Sequence, residues 1–363
     1  MRKSAYILLL TTIVFVLSCS KTSNDDTDQN IDRAAILDNL GNIIVQNYTQ
    51  LKTDADSLNI YADSFQTNTT EQNLLKLRSA FVKTYKSFQT VQFINFGKAL
   101  ELNIIDAFNN YPEDTTIILN AIQSNSYNIQ TISNKAKGLQ ALDYLLYAVR
   151  DYSTTDLVNW YTNTPNAKSY VKAVTAEIKR LTDLVNTDWN NQYLTTFKER
   201  QGIDRSSSFF LMTNALVENI EKYGRTAKVG IPLGYNGIFE GTTPRLELIE
   251  ARHSQISIEL LKAHIDAFGS FLSGNNGLGY DDYLNDIDAK FNGTLLSTII
   301  ETQVANIKTK INALEEPYAS EIVDDRQKVK ELFQAFQLLV ITLKVDVASA
   351  MSIDIIYQDT DGD

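Results

Sequence analysis

"KGLQALDYLLYA", residues 137–148, reads as a helix whose every turn is buried. Leu139, Leu142, Leu145 and Leu146 recur at spacings of three and four, with no proline inside the run. Gln140 and Asp143 stand three residues apart, so they share one side of that helix. A core helix that stacks an amide above a carboxylate must offer both of them partners. The stretch therefore predicts a buried helix with one polar side, and raises the question of what that side meets.

Outward from it, the same period repeats. Ile36, Leu40, Ile43, Ile44, Tyr48 and Leu51 form one stripe, and Leu74, Leu77, Phe81, Tyr85, Phe88 and Val91 form another. Thr70 precedes the second as a cap, and Thr164 with Pro165 makes a start signal for the stripe Val171, Val174, Ile178, Leu181 and Val185. A long helical run is predicted from about 192 to 227. The period then fails in "KVGIPLGYNGIFEGTTPR", which holds four glycines and two prolines. It returns at 256–272, 295–311 and 322–350, before a short β-prone piece, "MSIDIIYQ", and the acidic end "DTDGD". No fixed-period repeat is present. The expected architecture is two helical-bundle halves, 32–227 and 246–363, joined by the Gly/Pro-rich junction 228–245.

Composition agrees with a helical chain. Of 363 residues, only 15 are glycine and 5 proline, while 44% are hydrophobic. The net charge of −11 argues against a nucleic-acid partner, which requires a basic face to neutralise phosphates. It suits a soluble domain held above a membrane, or one that attracts cations.

The N-terminus sets the compartment. Arg2 and Lys3 precede the apolar run "AYILLLTTIVFVL", which is too short to span a membrane comfortably. "VLSCS" follows, and its Cys19 is the chain's single cysteine. The arrangement resembles a bacterial lipobox, implying a signal peptide 1–18 and a lipidated Cys19 that attaches the protein to a membrane. With Cys19 so used, no disulfide is available and the fold relies on its core. Residues 19–31 are polar and acidic and read as a disordered tether. Their "SNDD" is similar to the acidic export signal of Bacteroidetes lipoproteins. The expected location is the outer membrane, facing the periplasm or displayed on the surface.

Familiar catalytic arrangements are missing from the sequence. The two histidines, His253 and His264, do not form HExxH, and no GxSxG elbow occurs. "DTDGD" lacks the far glutamate that completes a calcium loop.

"GLQALDYLLY" resembles the signature of the imelysin family, in which a glycine is followed by a spaced histidine and glutamate. Four further stretches are similar to that family in the same order: "RSAFVKTYKSFQTVQFINFGKA", "KVGIPLG", "ELIEARHSQIS" and the closing "LKVDVASAMSIDIIYQDTDGD". The resemblance spans about residues 33–363. It implies an all-helical fold of two bundle-like halves, a bacterial envelope location, a link to iron acquisition and a peptidase label. It also implies a metal ion, iron or zinc, held between helices.

Carried over residue by residue, the signature histidine falls on Gln140, the glutamate on Asp143 and the earlier helix's glutamate on Gln92. Two amides and one shorter carboxylate are a poor ligand set for a transition metal. They leave metal-assisted hydrolysis without an obvious general base. The three are expected to form a degenerate metal site or a satisfied polar network, with Gln92 bonded to the other two. Glu250, Ser254, Ser257 and His253 are candidates to line it from the second half. The simpler reading makes the serines caps of the helix beginning near Ile256, and His253 a surface residue. The expected function is non-catalytic binding at the envelope, with iron, haem or uptake proteins as partners. A metal-dependent peptidase and a structural or adhesive surface lipoprotein are the alternatives.

Overall fold

The computed structural model describes residues 33–236, 239–240 and 243–357. Cys19, the signal segment, the tether and the end of the acidic tail lie outside these residues. The described chain falls within one compact unit, 32–363, and is mostly helical, as the periodicity requires.

The first helix, Arg33–Thr67, buries Ile36, Leu40, Ile44, Leu51, Leu58 and Phe65 along one stripe. It packs against two others, Glu71–Val91 and Pro165–Asp188. Thr70 caps the second by accepting from the Asn73 N–H. Thr164 occupies the cap position of the third without a side-chain bond, and Pro165 supplies the pre-set φ of the first turn. Beyond it, the expected run 192–227 is interrupted. Leu194–Glu199 ends a helix, and Arg200–Ser207 turns before the next begins at Ser208.

That next helix, Ser208–Glu218, widens without a break into a π-helix, Asn219–Gly230, and closes with one α turn, Ile231–Leu233. The Gly/Pro-rich stretch thus begins inside a helix. It leaves the helix only at Gly234, whose φ of +87° a side chain would resist. A two-residue hairpin pairs Tyr235–Asn236 with Phe239–Glu240, and a second pairs Lys290–Phe291 with Thr294–Leu295.

The later helices are Ser257–Ser273, Leu296–Asn312 and Arg326–Ile341, the last running on through a π segment, Thr342–Val347. Ser257–Ser273 lies against Glu71–Val91, so helices from before and after the Gly/Pro stretch share a surface. Arg326–Ala350 is long and apolar enough to cross a membrane by length and composition. Its Val329, Leu332, Phe336, Leu339 and Val340 are nevertheless buried in the fold. The β-prone Ile353–Ile356 pairs with no strand; Asn214 holds it instead, donating to Asp354 O and accepting from Ile356 N.

Candidate functional site

The polar centre is assembled from five pieces of chain. Glu71–Val91 and its C-cap, Gln92, turn Tyr85, Gln89 and Gln92 toward the interior at spacings of four and three. Gly138–Tyr147 supplies Gln140 and Asp143. This helix starts hard against the 107–109 segment. A Cβ on Gly138 would stand 2.5 Å from Ala107 O and 2.6 Å from Phe108 O, and Gly138 has φ +74°. Only glycine permits that approach, which brings Gln140 to Asn109. Lys228 comes from the π-helix, and Glu250 from the turn between Leu246–Leu248 and the Ser257 helix. That turn holds Ala251 and Gln255 in the left-handed region, at φ 50° and 57°.

Glu250 is the hub. Its Oε1 accepts from Asn109 Nδ2 at 2.6 Å and from Gln89 Nε2 at 3.4 Å. The single Tyr85 hydroxyl proton has its short bond to Asn109 Oδ1 at 2.5 Å, with Glu250 Oε1 at 3.4 Å as the longer contact. Its Oε2 forms an ion pair with the Lys228 ammonium. Gln140 Nε2 donates to the Tyr85 oxygen at 2.5 Å and to Asn109 Oδ1 at 2.9 Å. Ser257 Oγ donates to the Glu250 carbonyl at 2.5 Å. Tyr85 and Gln89 are 0% exposed, Gln140 1%, Glu250 3% and Lys228 4%, so solvent does not reach this network. Burial, then the charge of Glu250, pushes the Tyr85 phenol well above its ordinary range, and it stays a donor. Burial pulls Lys228 below the usual ammonium range against the opposing pull of Glu250.

Asp143 faces elsewhere. Its two oxygens accept the backbone N–H groups of His253 and Ser254, each at 2.9 Å. Burial raises its carboxyl above the ordinary range in spite of those donors. Beside it, Glu113 accepts from Arg252 Nη2 at 2.7 Å and meets His253 Nε2 at 2.9 Å. Burial pushes Glu113 up, but these bonds outweigh it and hold the carboxyl below the usual range. Both carboxylates therefore clamp the 250–256 turn onto the earlier part of the chain.

The sequence-stretch candidates thus separate. Gln140 and Glu250 enter one network, and Asp143, His253 and Ser254 another. Gln92 joins neither by a hydrogen bond: its side-chain oxygen is buried without a partner, and its backbone carbonyl accepts from Asn219. The residues that face Gln140 and Glu250 from that helix are Gln89 and Tyr85, one and two turns earlier. The serines do not cap the helix at 257. Its cap position is Ile256, whose side chain makes no cap bond, and Glu316 Oε1 accepts the Ile258 N–H instead. Ser257 ties back to Glu250, and Ser254 serves Asp143. His253 is largely covered and not a surface residue: it is bonded to Glu113, with its ring tilted against that of Tyr144. Tyr85 was expected only as part of an apolar stripe and Lys228 as the start of the junction, and Gln89, Asn109 and Glu113 were not singled out. The lysine opening "KVGIPLG" was the one visible signal among them, a cation inside an apolar stretch.

Among the described residues, no group of three or more His, Cys, Asp and Glu side chains is placed to hold a metal ion. The centre offers amides, a phenol and a carboxylate already neutralised by an ammonium. That donor set does not fit iron or zinc, which call for imidazole, thiolate or several carboxylates. His264 does not supply the imidazole. It is 0% exposed, packs on the Phe93 ring at 4.7 Å, and both ring nitrogens lack partners.

The fold matches solved structures. An imelysin-like protein from Psychrobacter arcticum 273-4 superposes with a TM-score of 0.71 at 15% identity, covering 90% of this chain and 97% of the other. A structure named as an iron-regulated protein A precursor, from Parabacteroides distasonis ATCC 8503, gives 0.71 at 14% identity, covering 88% and 94%. Comparison with curated proteins finds no match. The Imelysin family model matches residues 44–343, a span that holds every residue of both networks. The chain belongs to the imelysin family.

Proposed function

We propose that this protein is a cell-envelope lipoprotein, anchored through Cys19 at the outer membrane, that acts in iron or haem uptake by binding and not by catalysis. One observation carries the non-catalytic part. The acid at the centre of the fold, Glu250, is sealed from solvent, ion-paired to Lys228 and saturated by amide and phenol donors. A hydrolytic site needs an open coordination position or a reachable base of matched pKa, and this arrangement provides neither. The uptake role draws on the family and on the name of the Parabacteroides distasonis structure. The net charge of −11 favours approach of cationic ligands.

The test is calorimetric titration of the lipid-free protein, from residue 20 onward, with ferric iron and with haem, beside a cleavage assay on a denatured peptide substrate. Saturable binding of iron or haem with no cleavage is the expected result. Cleavage that disappears in Asp143→Ala would return the peptidase reading, and binding of neither ligand would end the uptake reading.

A further inference from the structure

The poor fit of the polar centre to a metal has a positive counterpart. Burying a carboxylate is costly unless a positive charge and donors come with it. At Glu250 the donors are Asn109 and Gln89, both on Oε1, with the Tyr85 hydroxyl at 3.4 Å from the same oxygen. The positive charge is the Lys228 ammonium, on Oε2. An ammonium is a compact point charge on a flexible stem, the side-chain group nearest in size and charge to a free ion. The fold goes to some length to deliver it. Lys228 lies in a π-helical stretch, a geometry uncommon in helices and concentrated at functional places. A further buried oxygen of the same group, Gln89 Oε1, has no partner at all.

We propose that Lys228 is a tethered cation. It takes, from within the chain, the position at Glu250 that a free cation would fill, and thereby closes the polar centre to metal ions. The assignment deepens the non-catalytic reading and rests on it. In this chain the positive charge of the site is encoded covalently and cannot be lost to a chelator or exchanged. Removing the tether leaves a vacancy bounded by Glu250 Oε2 and the stem's former space. That vacancy is suited to a small primary ammonium ion or to a hard divalent cation, with Glu250 Oε2 as its oxygen ligand.

The experiment is thermal unfolding of Lys228→Ala in methylammonium, propylammonium, calcium or zinc chloride, each alone, at matched ionic strength. Wild type and Lys228→Ala/Glu250→Gln serve as references. The expected result is a saturable rise in the midpoint of Lys228→Ala, by about 3 °C or more, with at least one of these cations. Neither reference should respond. A single variant indifferent to all four cations overturns the assignment, as does a wild type that responds equally. Should Lys228→Ala fail to fold in plain buffer, its refolding yield with and without each cation becomes the readout. Recovery with a cation supports the assignment, and no recovery with any overturns it. Neither iron nor haem enters the assay, so a failure here is separable from a failure of the uptake role.

Discussion

At the scale of single residues, the site depends on close approach as well as on charge. Gly138 is the clearest case, since two carbonyl oxygens stand where its Cβ would be. Gly138→Ala should lose about 3 kcal/mol of stability, seen as a lower urea midpoint, because clash and left-handed strain act together. A change under about 0.5 kcal/mol would show that the 107–109 segment yields freely. His264 gives a pH signature. Burial, then the nearby Lys228 charge, holds its imidazole well below the ordinary value of 6.5, so the native state keeps it neutral. Below pH 6.5 the unfolded chain takes up a proton that the native chain refuses. Stability therefore falls as pH drops through this window, by at most about 1.4 kcal/mol per unit from this group. His264→Leu should flatten that slope between pH 6.5 and 5 in urea titrations. An unchanged slope would assign it to other groups. The signature glycine was legible in the sequence as a motif, and its reason became visible only with the carbonyls opposite it. Gln92 misled because it shares a helical face with Tyr85 and Gln89. Spacing identifies a face and leaves open which residue on it sits level with a distant turn.

At the scale of elements, the 250–256 turn is held from outside. Asp143 takes two of its backbone N–H groups, and Glu113 takes Arg252 and His253. Asp143→Ala removes the acceptors of two amides and should raise hydrogen exchange at His253 and Ser254 well above that of helix-interior amides. The cost in stability should be about 2–4 kcal/mol, in line with breaking a buried charged contact. Exchange unchanged at both positions would mean that the left-handed residues Ala251 and Gln255 keep the turn in place unaided. Helix existence was readable from period throughout, and caps such as Thr70 were readable too. The π-helices were not, because a widened turn leaves the apolar pattern nearly intact while shifting which residues face inward. Lys228, assigned to the junction because glycines and prolines follow it, is a helical residue.

At the scale of the whole molecule, the two sides of the Gly/Pro stretch meet through Ser257–Ser273 on Glu71–Val91 and through the Asp143 and Glu250 contacts. The lipid-free protein should therefore unfold in a single calorimetric transition, with the van't Hoff and calorimetric enthalpies equal. Two resolved transitions would reveal halves that melt separately. Fold class was legible because a helix buries one stripe at a time and the stripe is written locally. The composition of the polar centre was not, because its members come from five segments that only the packing brings together.

The unbroken run from Ser208 through the π-helix to Leu233 carries one more implication. Each residue of an α-helix advances its face by about 100° around the axis. Where the helix widens, angular phase is set by the count of residues as much as by their identity. Deleting one residue between Asn219 and Thr226 would leave every named side chain in the sequence, yet swing the ammonium about a quarter-turn away from its carboxylate. In this chain, length is itself a coordinate of the site, and a frame of helical phase is inherited along with the amino acids.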